Sequence, residues 1–192
     1  MNEGETLNAF RFRPGKLPAV AVAVTAGLVI VLSGCSDHRE KREYAIPSSF
    51  CGVSVDRDEL APFMPSGRKV TVQKDVPDSL SSVCRVRVDS RLAVEFKQMW
   101  LTSSSTAYFV GGQADSRLDR EAEGGRFLYS GREAFGKTRH CTHEKLAGSN
   151  MFTAVQMQSS GHQDADAMRK LIAAYTKAVE NTSICKDGKS FT

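Results

Sequence analysis

An uncharged run of 16 residues, 17–32, ends three positions before Cys35. Its length is near the hydrophobic region of a secretory signal peptide, about 7 to 15 residues, and below the about 20 residues that a membrane-spanning helix needs. Pro18 and Gly27 lie within the run and would weaken a permanent helix. We therefore expect residues 1–34 to be removed as a signal peptide, which leaves only the later residues to fold.

The residues at the end of this run, Leu32-Ser33-Gly34-Cys35, resemble the lipobox of bacterial lipoproteins. The resemblance implies cleavage between Gly34 and Cys35 and attachment of a diacylglyceryl group to the Cys35 sulfur. Two acyl chains anchor a protein stably because each buried methylene contributes about 0.8 kcal/mol. We expect attachment to the outer face of the plasma membrane, facing the cell wall. An uncleaved transmembrane anchor and an ordinary secreted protein are the alternatives.

Residues 36–43, Ser-Asp-His-Arg-Glu-Lys-Arg-Glu, are charged and lack apolar periodicity. We expect the lipidated cysteine and a solvated tether to occupy residues 35–45, a single domain to occupy 46–187, and a disordered tail to follow at 188–192. Residues 1–34 hold three of the 26 Lys and Arg and two of the 22 Asp and Glu, so 23 cations face 20 carboxylates in the mature chain. This small, dispersed excess does not predict nucleic-acid binding.

Four cysteines remain once Cys35 is assigned to the lipid: Cys51, Cys84, Cys141 and Cys185. An even number in an oxidising compartment predicts two disulfides, for which three pairings are possible. We favour Cys51–Cys84 with Cys141–Cys185 because each pair lies within one half of the domain. Each bond would close a loop of about 30 to 45 residues and contribute about 3 to 4 kcal/mol in the chain-entropy model. Free, buried cysteines are the alternative.

Alternation of apolar and polar residues predicts an antiparallel hairpin in each half of the domain. The first half has strands at residues 68–72, 84–88 and 92–96, with a turn at Asp89-Ser90-Arg91 between the last two. In the second half, residues 146–150 join strands at 137–143 and 151–157. Cys141 would then lie on a strand, as Cys84 does.

Three helices are predicted around these strands. A short helix begins at Asp56 or Asp58, and a short exposed helix occupies residues 113–123 between two glycine pairs. Residues 164–181 form an amphipathic helix with one apolar stripe, made of Met168, Leu171, Ile172, Tyr175 and Val179. The fold class is therefore α+β, a single compact domain with two hairpins or one sheet, a short N-terminal helix, a C-terminal helix and two disulfides.

Two patterns contain residue types that hydrolases use. Ser66-Gly-Arg-Lys69 matches the S-x-x-K nucleophile motif, but its partner motifs, Ser-Asp-Asn and Lys-Thr-Gly, are missing. Ser160, His162 and Asp164 are the residue types of a catalytic triad, yet no G-x-S-x-G motif is present. The start of a helix explains these three residues better. We therefore predict no catalytic residue.

Metal-ligand side chains are concentrated in His140-Cys141-Thr142-His143-Glu144. On a strand the two histidines would point to opposite faces, so we predict no metal site and no cofactor. Met151, Met157 and Met168 are scattered, which favours core packing over copper binding. Trp100, Tyr108 and Phe109 flank a serine-rich segment and belong either to the core or to a binding edge.

Together, Cys35, Cys51-Gly52, Cys84, Cys141 and Cys185 give the chain a resemblance to small lipoproteins of unknown function from high-GC Gram-positive bacteria. The resemblance implies a lipobox, a charged tether and a four-cysteine α+β domain, and it brings no catalytic residues. We predict a non-enzymatic binding or interaction module whose partners are the membrane and an envelope protein or cell-wall ligand. The alternatives are an envelope enzyme or an accessory subunit of a cell-wall enzyme, and a metal-capturing lipoprotein.

Overall fold

The structure, a computed structural model, describes residues 42–113 and 116–192. Gly34 and Cys35, the expected cleavage and lipidation sites, therefore lie outside the described residues, as does most of the expected tether. Every helix within the described ranges is too short or too polar to cross a membrane.

In the described ranges the chain forms nine strands and four α-helices. The strands are β1 Ser49–Phe50, β2 Val53–Ser54, β3 Val70–Asp78, β4 Ser81–Val88, β5 Arg91–Leu101, β6 Arg120–Ala122, β7 Phe127–Tyr129, β8 Glu133–Lys137 and β9 Asn150–Met157. The helices are α1 Arg57–Leu60, α2 Thr106–Gly111, α3 Ala165–Glu180 and α4 Ser183–Asp187, and a 3-10 turn at Ala61–Phe63 follows α1.

Seven strands form one antiparallel sheet in the order β3-β4-β5-β9-β8-β7-β6, while β1 and β2 form a separate hairpin. The two halves of the domain merge into this sheet because β5 pairs with β9, from Val94 opposite Met157 to Leu101 opposite Asn150. The α+β class, the two helices at its ends and the two disulfides are thus confirmed.

Helix α3 supplies the centre of the core. All five residues of its predicted stripe are at most 2% exposed against one face of the sheet. Phe96 of β5 lies between Tyr175 and Phe50, with ring centroids 4.9 and 5.4 Å away. Burial of such a side chain contributes about 1.5 to 3 kcal/mol. The helix begins where the Asp164 carboxylate accepts two backbone N–H groups, so the predicted helix at 164–181 is confirmed.

Close packing of α3 on the sheet depends on Gly136 of β8. Thr153 Oγ1 and Thr176 Oγ1 lie 2.7 Å apart, and Thr153 Oγ1 also donates to the Gly136 carbonyl at 3.3 Å. A Cβ atom at position 136 would lie 2.7 Å from Thr176 Oγ1 and 2.8 Å from the Phe127 ring. A side chain at this position would therefore separate the helix from the sheet.

The first-half strands are confirmed and are longer than the sequence predicts. Asp89 and Ser90 both have positive φ, 47° and 71°, which gives the β4–β5 hairpin a tight two-residue turn. The register shifts after Val86, so Ala93 is buried and Leu92 is only half-buried. Alternation alone places Leu92 inside, because a bulge of this kind adds one residue to a strand without a clear sequence signal.

The exposed helix expected at residues 113–123 is wrong. The helix lies earlier, at α2, where the Ser105 hydroxyl accepts the Tyr108 N–H as a cap. Phe109 holds α2 against the second face of the sheet, with ring centroids 5.3 Å from Phe135 and 5.7 Å from Phe152. In the described part of the expected helix, Arg120–Ala122 is a strand.

The strand expected at residues 137–143 is also wrong. Strand β8 begins earlier, at Glu133, and ends at Lys137, so Cys141 lies in the loop before β9. Two contacts draw this loop away from the sheet ladder. Cys141 is bonded to Cys185 of α4, and the Glu144 N–H donates to the Gly188 carbonyl at 2.9 Å.

Both ends of the described domain are bound more extensively than the sequence predicts. Within the expected tether, the Arg42 guanidinium donates to the Ala61 and Met64 carbonyls at 2.7 and 2.8 Å. Residues 188–192 are predicted to be a disordered tail, but Phe191 is only 5% exposed and its N–H donates to a carbonyl in the β3–β4 turn. Burial of one aromatic side chain anchors this short segment.

We expect Gly136→Ala to lower the free energy of unfolding by about 1 to 3 kcal/mol, because the added methyl overpacks the contact between β8 and α3. Urea unfolding of the purified protein measures the change. Gly161→Ala is the matched control, since a Cβ there has no atom within 4 Å. Equal stability of the two variants would contradict the packing argument.

Candidate functional site

A polar cleft of about 770 Å³ opens beside the start of β8 and the end of β9. We call it the Glu133 cleft. Its polar lining includes Arg117, Arg132, Glu133, Gln156, Gln158 and Gln163. Antiparallel pairing brings the strand residues together, because Glu133 and Gln156 are direct register partners.

The Glu133 carboxylate organises one wall of the cleft. One oxygen accepts the Arg117 N–H at 2.8 Å, and the other accepts Ser116 Oγ and Gln156 Nε2, each at 3.0 Å. Three donors occupy this carboxylate, so its role in the described structure is to hold the 116–117 segment against β9. A charged acceptor makes hydrogen bonds stronger than those of neutral pairs.

Burial and charge determine what the Glu133 cleft can bind. Gln156 Oε1 is a buried acceptor without a hydrogen-bond partner in the described structure. A buried polar atom in this state is costly to the fold, and its burial also shields it from a partner in the open cleft. Arg117 and Arg132 line the same cleft with exposed side chains and are balanced by the carboxylates of Asp119 and Glu133, so the cleft offers both signs of charge to a polar partner.

The S-x-x-K residues are not arranged as a nucleophile and base. Lys69 is exposed, whereas a lysine that serves as a general base is normally desolvated. Its backbone N–H donates to Asp89 Oδ1 at 2.9 Å, across the end of the β3–β4 pair. The Arg68 and Lys69 N–H groups together hold the pKa of Asp89 below its ordinary value of 3.8. The motif therefore forms a turn contact.

Ser160, His162 and Asp164 form the entry to α3. Ser160 Oγ accepts the backbone N–H of His162 at 3.1 Å, and the imidazole packs edge-on against Phe63 with ring centroids 5.2 Å apart. The Ala167 and Asp166 N–H groups bind the Asp164 carboxylate and lower its pKa. The geometry is that of a helix start, as the sequence predicts.

The histidine cluster is divided by the disulfide of Cys141. His140 is exposed, whereas His143 is only 7% exposed and packs edge-on against Trp100. His143 Nδ1 accepts the Lys145 N–H at 3.1 Å, so the ring proton lies on Nε2, which donates to Ser190 Oγ at 3.1 Å. Among the described residues, no group of three or more His, Cys, Asp or Glu side chains is arranged to hold a metal.

The remaining candidates separate into core and surface. Met151, Met157 and Met168 are at most 5% exposed in the main core, as predicted. Trp100 and Phe109 are each 2% exposed, whereas Tyr108 is 67% exposed on α2. Of the three aromatic residues, only Tyr108 is available for a contact surface.

Sequence reasoning missed the residues of the Glu133 cleft. Glu133 and Gln156 are single polar residues in strands, and neither belongs to a recognisable motif. Only the β8–β9 register places them side by side. These residues could be predicted only by matching polar positions of two paired strands. Such matching requires the strand ends to be known first.

No protein-family model, no curated protein and no solved structure matches the chain in the three comparisons with known proteins. The protein is therefore classified by its fold. It is an α+β domain in which one long helix covers a seven-stranded antiparallel sheet and two disulfides secure the peripheral segments.

We expect Glu133→Ala to destabilise the domain by about 1 to 3 kcal/mol, because it removes the acceptor of the Arg117 N–H and the nearer of the two acceptors of Gln156 Nε2. Hydrogen exchange should become faster at residues 116–117. Glu121→Ala is the control, since Glu121 is exposed on β6. Unchanged exchange at residues 116–117 would show that the carboxylate does not hold this segment.

Proposed function

We propose that the protein is an extracytoplasmic lipoprotein, anchored through Cys35, whose domain binds a polar envelope partner without catalysing a reaction. The observation that carries the proposed location is the pair of disulfides, Cys51–Cys84 and Cys141–Cys185. Disulfides persist in oxidising compartments and are rare in the cytosol of most organisms. The lipobox-like residues, Leu32-Ser33-Gly34-Cys35, agree with such an address.

The Glu133 cleft supports the binding role. Its exposed guanidinium groups, at Arg117 and Arg132, suit a carboxylate or phosphate group of a partner, and the exposed Asp119 carboxylate suits a hydrogen-bond donor. Within the described chain, no comparable arrangement of side chains supports the envelope-enzyme or the metal-capture alternative. Lys69 is exposed, and both His143 nitrogens are hydrogen-bonded.

The anchoring is tested with Cys35→Ala in the full chain. We expect this variant to remain an unprocessed precursor without lipid, because the Cys35 sulfur is the proposed acceptor of the diacylglyceryl group. Ser36→Ala, one residue later, should be processed and lipidated normally. Mass spectrometry of the N-terminal peptide distinguishes these products. Normal cleavage of Cys35→Ala, with retention in the membrane, would refute the anchoring.

The binding role is tested by crosslinking in intact cells, followed by mass spectrometry of the captured molecules. We expect Arg117→Glu combined with Arg132→Glu to reduce capture of the partner about tenfold, because reversal of two charges repels an anionic group. Arg169→Glu combined with Lys170→Glu, on the exposed face of α3, is the matched control.

Capture that is equally strong with both double variants would contradict binding through the Glu133 cleft. Turnover of an envelope substrate by the purified protein, abolished by a single substitution, would contradict a non-enzymatic role. Ser66→Ala and Lys69→Ala are the substitutions to include in that assay.

A further inference from the structure

The described part of the chain begins at Arg42, which contacts the domain at one end of the seven-stranded sheet. Arg42 forms a parallel β-bridge with Gly67, and the Glu43 N–H donates to the Gly67 carbonyl at 2.8 Å. Gly67 lies next to Arg68, whose N–H is bound by Asp89 in the β4–β5 turn. Any tether that precedes Arg42 is therefore attached beside this turn.

Positive charge is concentrated at this attachment point. We call the site the basic corner and define it by five cations and two carboxylates: Arg42, Arg68, Lys69, Arg87, Arg91, Glu43 and Asp89. Its formal net charge of +3 equals the whole excess of 23 cations over 20 carboxylates in residues 35–192. The remainder of the mature chain is therefore balanced.

Three of the five cations of the basic corner are free to meet an external anion, whereas Arg42 and Arg87 donate to backbone carbonyls. Arg68, Lys69 and Arg91 are exposed, and none of them takes part in an ion pair among the described residues. The Asp89 carboxylate is directed at the backbone N–H groups of Arg68 and Lys69. In contrast, Arg85 in the middle of β4 is paired with Asp75 and Glu95.

The length of the tether limits which part of the domain can reach the membrane. Six residues, 36–41, separate Cys35 from Arg42, so their Cα atoms lie at most about 25 Å apart. Strand β5 spans about 30 Å from Arg91 to Trp100. If Cys35 carries the lipid, as the proposed function has it, the basic corner lies within reach of the bilayer surface.

We propose that the basic corner docks on anionic phospholipid headgroups of the bilayer that holds the lipid anchor. The domain then lies against the membrane with the β4–β5 turn facing it. Attraction of this kind acts only within about 8 Å at physiological ionic strength, so docking requires direct approach of these side chains. Each Lys or Arg near an anionic surface strengthens binding about fivefold.

The test uses the lipidated chain in nanodiscs of phosphatidylcholine alone or phosphatidylcholine with phosphatidylglycerol. Acetylation of each lysine is measured by mass spectrometry. We expect Lys69 to react severalfold more slowly in the anionic discs, because the docked surface covers its amine. Lys145, in the loop bound near α4 at the opposite strand ends, should react equally in both discs.

Two double variants test whether the protection of Lys69 depends on the charges of the basic corner. Arg68→Glu combined with Arg91→Glu should restore the reactivity of Lys69 in anionic discs, and Lys145→Glu combined with Lys186→Glu should leave it protected. Equal reactivity of Lys69 in both kinds of disc, with lipid confirmed on Cys35, would overturn the docking alone. Absence of lipid on Cys35 would overturn the anchoring and the docking together.

Discussion

Each disulfide joins a segment with few ladder hydrogen bonds to the body of the domain. Cys51–Cys84 attaches the turn of the two-stranded β1–β2 hairpin to β4, and Cys141–Cys185 attaches the loop before β9 to α4, with Cα atoms 5.9 and 4.8 Å apart. Cys51 has a φ of 50°, which is unfavourable for a residue with a side chain. Without these crosslinks, the segments that cover the edges of the core would depend on short strands and single buried side chains.

Sequence reasoning succeeded where one local rule determines the structure. The apolar stripe of α3 and its Asp164 cap act within a few residues, and both are recovered from the printed sequence. It failed where a distant contact overrides local pattern. The loop around Cys141 alternates like a strand, but its bond to Cys185 and the contact of Glu144 with Gly188 remove it from the sheet.

The Glu133 cleft could not be predicted from the sequence because it is a product of strand register. It opens at the strand ends where β5 begins and β9 ends, since the Gln158 N–H donates to the Ala93 carbonyl and the Met157 N–H to the Arg132 carbonyl. The basic corner lies at the same end of the sheet. Docking of this corner would therefore present the cleft to a partner close to the membrane surface.

All four cysteines of the domain are paired, as expected of a protein that folds in an oxidising compartment. Thiol alkylation under denaturing, non-reducing conditions, applied to the protein taken directly from its producing cells, tests this most directly. We expect Cys51, Cys84, Cys141 and Cys185 to remain unmodified until a reductant is added. Two or more reactive thiols among these four residues would contradict it.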